Sequence, residues 1–239
     1  MEPNSFKSLA VARALEEDII FGRLLPGARL VEDNLLSRFG GTRHFIRQAI
    51  AELEKTGIVV RERNKTAMVR LMPPDEVLQI YTVRELLQRQ AALMISLPAG
   101  QPLIDRLEAI DARHCQCIEA GDISGIHKAN DDFHLTLFAA CGNTYLVESI
   151  RHYMVLSVLV RAKTLSDQAC LAVSREHHRM MIEMLKGRDN WVLAQLCVDH
   201  IQPSKVEYCE RVSAELAVTI PMRKRRGLAA AAQNGMRDI

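Results

Sequence analysis

Four polar residues in the second half of the chain have the types and spacing of a metal site. Asn130 and His134 are four positions apart, so their side chains share one face of a helix. His178 and His200 fall near the middle of two later segments with helical periodicity. Three imidazoles and one amide oxygen would suit zinc or nickel, but a lone buried histidine is more often simply hydrogen-bonded. Spacing alone leaves both interpretations open.

Two arginines in the same half are candidates to bind a small carboxylate. The planar guanidinium groups of Arg84 and Arg161 match the geometry of a carboxylate with two parallel hydrogen bonds. Each is equally well interpreted as one partner of a structural or surface ion pair. His177 is expected to point about 100° away from His178 on a helix, outside the site.

A second polar group lies near the start of the chain, at the opening of a short helix. Thr42 is predicted to cap this helix, with Ile46, Ala49, Ile50 and Leu53 forming its buried stripe. Arg43, His44 and Arg47 project from another face, where an arginine fork could recognise guanine in the major groove. A solvated amphipathic face would show the same periodicity.

The elements around this helix predict a winged helix-turn-helix, followed by an all-helical domain. Helical patterns cover residues 6–22, 30–39 and 43–55, and two apolar runs at 58–60 and 67–71 indicate a hairpin. Arg63 and Lys65 at its tip are expected to contact DNA backbone or minor groove. Pro73-Pro74 marks a linker, after which about six helices form a bundle. The predicted division is 1–74 for DNA binding, 75–214 for effector binding and dimerisation, and 215–239 for a disordered basic tail.

Composition is that of a globular cytoplasmic protein. The chain has 48% hydrophobic and 25% charged residues, without an apolar run long enough for a membrane helix or a secretory signal. The net charge is only +2, but residues 1–72 hold 12 Lys/Arg against 9 Asp/Glu. The remaining residues hold 19 against 20. This asymmetry favours nucleic-acid binding by the first third.

The first third resembles the N-terminal domain of the GntR family of bacterial regulators. The resemblance rests on Leu25-Pro26-Gly27, Leu30, Glu32, Leu35, Gly40, Thr42-Arg43, Ile46-Arg47, Ala49-Ile50, Leu53, Gly57 and Val69. Four positions depart from the family pattern: Leu36, Gly41, Phe45 and Thr66. Gly41 replaces a small hydrophobic residue and Thr66 a wing glycine, so we expect altered base specificity rather than lost binding.

The second half is similar to the FCD effector-binding domain found in one branch of that family. The similarity is carried by Arg84, Asn130-Asp131-Asp132-Phe133-His134-Leu135, Gly142-Asn143, Glu176-His177-His178, Ile182, Gly187-Arg188-Asp189 and Asp199-His200-Ile201. In that domain a D-x-x-x-H pair and two later histidines bind a divalent metal, with a carboxylate effector on or beside it. The resemblance therefore implies metal binding by Asn130, His134, His178 and His200. Asn130 replaces the family aspartate and is a weaker, neutral ligand.

Together these features predict a homodimeric transcription regulator, a repressor, that binds an inverted repeat in double-stranded DNA. A small carboxylate is expected to control its DNA affinity allosterically. A metal-dependent hydrolase or lyase is the rival interpretation, because three histidines around an open coordination position also occur in catalytic sites. The sequence has no H-E-x-x-H motif, phosphate-binding glycine loop or nucleophile elbow. We therefore predict a protein without enzymatic activity.

Overall fold

The first part of the chain forms the expected winged helix-turn-helix. The computed structural model describes residues 3–62, 65–162, 164 and 167–219. Its first elements are α1 (Pro3–Ile20), α2 (Glu32–Phe39), α3 (Arg43–Lys55), β1 (Val59–Val60) and β2 (Met68–Val69). The strands are antiparallel, with Val59 opposite Val69. They are shorter than predicted, although the Arg70 amide extends the pairing by donating to the Ile58 carbonyl over 2.9 Å.

The core of this part is built from one apolar face of each helix. The predicted stripe of α3 is buried, and Ile46 and Ile50 have no exposed surface. They join Leu15 of α1 and Val69 of β2 in one cluster. Burial of this stripe leaves the opposite face of α3 in solvent, which sets the direction of its polar residues.

The junction between the two parts is compact. Pro73 is extended at φ −66° and ψ 151°, and α4 begins at Pro74, where a missing amide hydrogen costs the helix no bond. The Tyr208 hydroxyl accepts from the Met72 amide and donates to the Met72 carbonyl, each over 3.2 Å. Buried apolar residues continue from the first part into the second without interruption.

The second part is all-helical, as predicted. It consists of α4 (Pro74–Leu93), α5 (Gln101–Ala120), α6 (Ile123–Ala139), α7 (Thr144–Leu156), α8 (Val158–Arg161), α9 (Gln168–Lys186) and α10 (Asn190–Thr219). The short α8 is additional to the six helices expected. It is separated from α7 at Ser157, whose hydroxyl donates to the Tyr153 carbonyl over 2.7 Å. Four helices, α4, α6, α9 and α10, surround the polar site described below.

Two predicted segments fall partly or wholly beyond the described residues. α10 continues to Thr219, past the expected boundary at 214, and residues 220–239 with their basic run lie outside the described part. Arg63 at the wing tip also lies outside it. Within the residues described, no helix is both long and apolar enough to span a membrane.

Candidate functional sites

The turn between α2 and α3 is shaped by two glycines and a cap. Gly40 and Gly41 have φ of +68° and +85°, values that residues with a Cβ atom rarely adopt. A Cβ on Gly41 would also lie 3.0 Å from the Phe45 ring. Thr42 Oγ1 accepts from the Phe45 amide over 3.4 Å, which caps α3. The glycine at position 41, where the family has a small hydrophobic residue, therefore suits the positive φ of this turn.

The polar face of α3 is exposed, but its arginines already have partners. Arg43, His44 and Arg47 all lie in solvent. Arg43 Nη2 lies 2.6 Å from Asp33 Oδ1, and Arg47 Nε lies 2.9 and 3.0 Å from the two oxygens of Glu32. Sequence reasoning missed this pairing. The available signal was the acidic pair that opens α2, Glu32 and Asp33.

The wing borders the same surface. Lys65 is exposed and forms an ion pair with Glu62. Arg43, Arg61 and Lys65 line one open groove of ≈ 330 Å³ between the helix-turn-helix and the wing. The groove therefore brings the start of α3 together with the predicted backbone-contacting lysine.

In the second part, the three predicted histidines converge. His134 Nε2 lies 2.9 Å from His200 Nε2 and 3.4 Å from His178 Nε2. Phe133 stacks on the His178 ring with centroids 4.0 Å apart. Burial lowers the pKa of each of the three imidazoles well below the ordinary value, and neighbouring imidazoles lower it further. All three are therefore neutral at pH 7.

The spacing of the three Nε2 atoms fits a divalent metal. With metal–nitrogen distances near 2.05 Å, two ligand nitrogens are about 2.9 Å apart at 90° and about 3.3 Å apart at 109°. The observed 2.9 and 3.4 Å correspond to these angles. Only neutral imidazoles offer the lone pairs that a metal needs.

Two neighbours differ from expectation. The buried Asn130 lies beside the histidines, but its amide nitrogen donates to Asp131 Oδ1 over 3.4 Å. His177, expected outside the site, lines a cavity beside the histidines, with its ring centroid 5.6 Å from that of His200. His177 and His178 point in different directions from α9, but His200 of α10 lies near both rings, with centroids 5.6 and 5.1 Å away.

A cavity of ≈ 60 Å³ opens beside the histidines and contains both predicted arginines in its wall. Arg84 is 4% exposed, and its Nε and Nη1 have no hydrogen-bond partner among the described residues. Burial lowers the pKa of Arg84, while the Tyr81 ring below the guanidinium partly offsets this effect. A buried guanidinium with two free donors is costly and creates a strong site for an anion.

Arg161 has a different role in the same wall. Its Nη1 lies 2.7 Å from Asp131 Oδ1, and its Nη2 donates to the Met154 carbonyl over 3.1 Å. Its Nε is buried without a partner in the described part of the chain. Arg161 therefore combines the two interpretations left open by the sequence, since it is an ion-pair partner that also faces the cavity.

Comparison with known proteins identifies the family to which this chain belongs. The model of the gntR family of bacterial regulatory proteins matches residues 7–69, and the FCD domain model matches residues 79–203. This chain is a GntR-family regulator with an FCD domain. Its helix-turn-helix is accordingly a DNA-binding domain, and its function is transcriptional regulation.

Curated relatives and solved structures agree with this assignment. The transcriptional repressor GlaR of Escherichia coli is 25% identical over 81% of this chain and 92% of GlaR. The uncharacterised regulator YdhC of Bacillus subtilis is 26% identical over 72% of this chain and 78% of YdhC. Among structures, E. coli McbR/YncC matches with a TM-score of 0.70 at 20% identity, over 86% of this chain and 98% of that one. A putative GntR regulator from Rhodococcus sp. RHA1 matches with a TM-score of 0.68 at 20% identity, over 84% and 96% of the two chains. These structural matches concern the fold.

Proposed function

We propose that this regulator is a homodimeric repressor whose operator affinity is controlled by a small carboxylate bound in the FCD cavity beside a divalent metal. The observation that carries the proposal is the buried Arg84 guanidinium, which faces the cavity with two unpaired donors. A carboxylate would accept a charge-assisted hydrogen bond from one of these donors and neutralise the charge, which a neutral ligand would not do.

The three histidines support a metal at the same place. His134, His178 and His200 would hold it, and Asn130, which lines the same cavity, would contribute a weak oxygen ligand after turning away from Asp131. Bound there, zinc or nickel would act as a Lewis acid for a carboxylate oxygen. Arg84 would then orient the second oxygen.

The DNA-binding part supports a dimer and a cytoplasmic site of action. Helix-turn-helix regulators read inverted repeats with two heads related by a two-fold axis, so two copies of α3 are required. We expect the protein to sediment as a dimer at micromolar concentration. Repression is proposed because a relative that aligns over most of both chains, GlaR, is named a repressor. The rival hydrolase or lyase is not favoured, because it leaves the DNA-binding domain without a role.

The proposal is tested by calorimetry with sugar acids, hydroxy acids and dicarboxylates, before and after chelation, beside gel shifts on the gene's upstream DNA. Wild-type protein should bind one class of acid and change its DNA affinity in response. Arg84→Leu should lose acid binding while still binding DNA, and His178→Ala should lose the metal.

Arg89→Leu is the matched control, since Arg89 lies on the same helix but is only half-buried and bonds Gln195 over 3.1 Å. Removal of the buried unpaired charge of Arg84 should leave the free energy of unfolding equal or raise it by up to about 4 kcal/mol. Acid binding that survives Arg84→Leu would contradict the assignment of the cavity.

A further inference from the structure

The two ring nitrogens of His178 face two different polar groups. Nε2 points toward His134, whereas Nδ1 lies 3.3 Å from Asp111 Oδ1 on α5. His178 is completely buried and its ring is stacked on Phe133, so packing restricts its rotation. Asp111 is partly exposed at the edge of the bundle. The contact joins α5 and α9 directly behind the three-histidine cluster.

The two nitrogens of a neutral imidazole cannot both serve as ligands. One carries a proton and donates, and the other has the lone pair that accepts a proton or binds a metal. A carboxylate beside Nδ1 stabilises the tautomer with the proton on that nitrogen, because it accepts a hydrogen bond and cannot donate one when ionised. The lone pair then lies on Nε2, which faces His134.

We propose that Asp111 is a positioning residue that holds the proton on Nδ1 of His178 and so makes Nε2 the metal-binding nitrogen. This inference rests on the proposed metal centre of His134, His178 and His200. Carboxylates behind metal-binding histidines raise the basicity of the ligand and fix its ring orientation. Asp111 comes from a helix that supplies none of the three histidines.

A rival arrangement uses the other side of His178. Ligand atoms of Asp111, His114 and His178 also lie within 4.8 Å of one another, and His114 is fully buried with neither ring nitrogen bonded among the described residues. A metal there would need an unprotonated Nδ1 on His178, so the two positions compete for one imidazole. Asp111 also shares a surface groove with Arg175 and Arg179, whose positive charges disfavour a cation. Nε2 faces His134 at 3.4 Å, on the side where His200 supplies a third imidazole.

The first test measures Zn²⁺ and Ni²⁺ affinity by chelator competition in wild type, Asp111→Ala and Asp111→Asn. Loss of the carboxylate in Asp111→Ala should weaken binding about 10- to 100-fold. The metal affinity of Asp111→Asn should lie between those of Asp111→Ala and wild type, because the amide oxygen still accepts a hydrogen bond from Nδ1 of His178. Since Asn closely matches the shape of Asp, it also provides the measurement if the alanine variant does not fold.

Glu108→Gln is the matched control, because Glu108 also lies on α5 and also contacts α9, through Lys186 at 3.4 Å, but is remote from the histidines. It should bind metal as wild type does. Equal metal affinity in Asp111→Ala, Asp111→Asn and Glu108→Gln would overturn the proposal. His114→Leu distinguishes the rival position: it should retain the metal, and a loss as large as that of Asp111→Ala would move the metal to the Asp111 side.

A second readout needs no metal and therefore separates this inference from the proposed metal centre. Long-range ¹H–¹⁵N spectra of metal-free protein with labelled histidine report which nitrogen carries the proton. Wild type and Glu108→Gln should show His178 protonated on Nδ1, and Asp111→Ala should lose this preference. Absence of metal binding with this tautomer pattern would refute the metal centre alone, whereas an Nε2-protonated His178 in wild type would refute the role of Asp111.

Discussion

Arg43 and Asp33 form an ion pair across the helix-turn-helix, with 2.6 Å between Nη2 and Oδ1. The arginine that opens the DNA-reading helix is therefore held by an acidic side chain of the preceding helix. Both side chains are more than half exposed, so the pair is weak and its arginine is free to exchange partners on DNA.

Arg43→Ala should weaken operator binding by about 1–3 kcal/mol and flatten discrimination at one position of each half-site, because a guanidinium fork to guanine would be lost. The measurement is a binding titration at fixed salt against operators altered one base pair at a time. Lys65→Ala is the comparison, for which we expect uniform weakening across sequences and a shallower salt dependence. Unchanged operator affinity in Arg43→Ala would show that Arg43 does not contact the operator.

Asp33→Asn should tighten DNA binding by up to about fivefold, since DNA no longer competes with an exposed ion pair for Arg43. Glu52→Gln is the control for net charge: Glu52 is also acidic and exposed, but it pairs with Lys55 at the far end of α3. An equal gain in both variants would mean that the effect is general electrostatics and not release of Arg43.

Asp18 gives the DNA-binding part a pH-dependent contribution to stability. Its side chain is 1% exposed and paired with Arg23 and Arg38. Burial alone would raise the pKa of Asp18, but hydrogen bonds from Arg38 and Arg23 outweigh it and hold the pKa below the ordinary value. The contribution is therefore complete above the unfolded-state pKa of about 3.9 and is lost as pH falls through the lower folded-state pKa.

Asp18→Asn should accordingly lower the free energy of unfolding at pH 7 by about 1–3 kcal/mol. The deficit relative to wild type should shrink at pH values below the folded-state pKa, as measured by chemical denaturation. Asp105→Asn, at an exposed carboxylate that bonds Gln101 within α5, should change little at either pH. A deficit that stays constant with pH would show that the carboxylate charge is not the cause.

Asn130→Asp should tighten metal binding, because a carboxylate is a stronger ligand than a neutral amide. It should also lower the free energy of unfolding of the metal-free protein by about 0.5–3 kcal/mol. The reason is that the Asn130 amide now donates to Asp131, and a second carboxylate would repel it. Chelator competition and denaturation of the metal-free protein measure the two effects, and a variant improved in both would contradict this account.

Helical periodicity predicted the elements well because each helix buries one apolar face. Periodicity predicted the buried stripe of α3, and hence that Arg43 is exposed, because the spacing of residues within one helix determines which face each side chain lies on. Periodicity could not predict that Asp33 is the ion-pair partner of Arg43, because Asp33 belongs to a different helix. The resemblance to a family placed His134, His178 and His200 together, which spacing alone left open.

Contacts between residues far apart in the sequence could not be predicted from periodicity for the same physical reason. Asp111 and His178 are 67 positions apart, and their contact depends on how α5 packs on α9. The unpaired donors of Arg84 follow from packing, because the nearby carboxylate of Asp131 is hydrogen-bonded to Arg161 instead. His177 lines the cavity because α10 places His200 beside it, a contact between helices that spacing within α9 could not predict.

The last prediction concerns how the cavity communicates with the DNA-binding part. Arg161 lines the cavity and is paired with Asp131, and α8, which carries Arg161, packs in the same core as α1. Burial raises the pKa of Glu16 on α1, and the negative charge of Asp131 raises it further. An effector carboxylate that takes hydrogen bonds from Arg161 would weaken its neutralisation of Asp131. Repulsion between Asp131 and Glu16 should then loosen the packing of α1 on the effector domain.

Glu16→Gln should therefore raise the free energy of unfolding at pH 7 and reduce the effect of the effector on operator affinity. In an Asp131→Asn background the same change should bring a smaller gain, because only the cost of burying the Glu16 charge remains, so that a double-mutant cycle shows coupling. Glu17→Gln, at the exposed neighbour on α1, is the matched control and should change both quantities less, because the charge of Glu17 raises the pKa of Glu16 less than the charge of Asp131 does. The measurement is the ratio of operator dissociation constants with and without the acid found by calorimetry. If Glu16→Gln and Glu17→Gln keep the same ratio as wild type, the repulsion between Glu16 and Asp131 does not transmit the signal, and the coupling must run through the apolar contacts of α8 with α1.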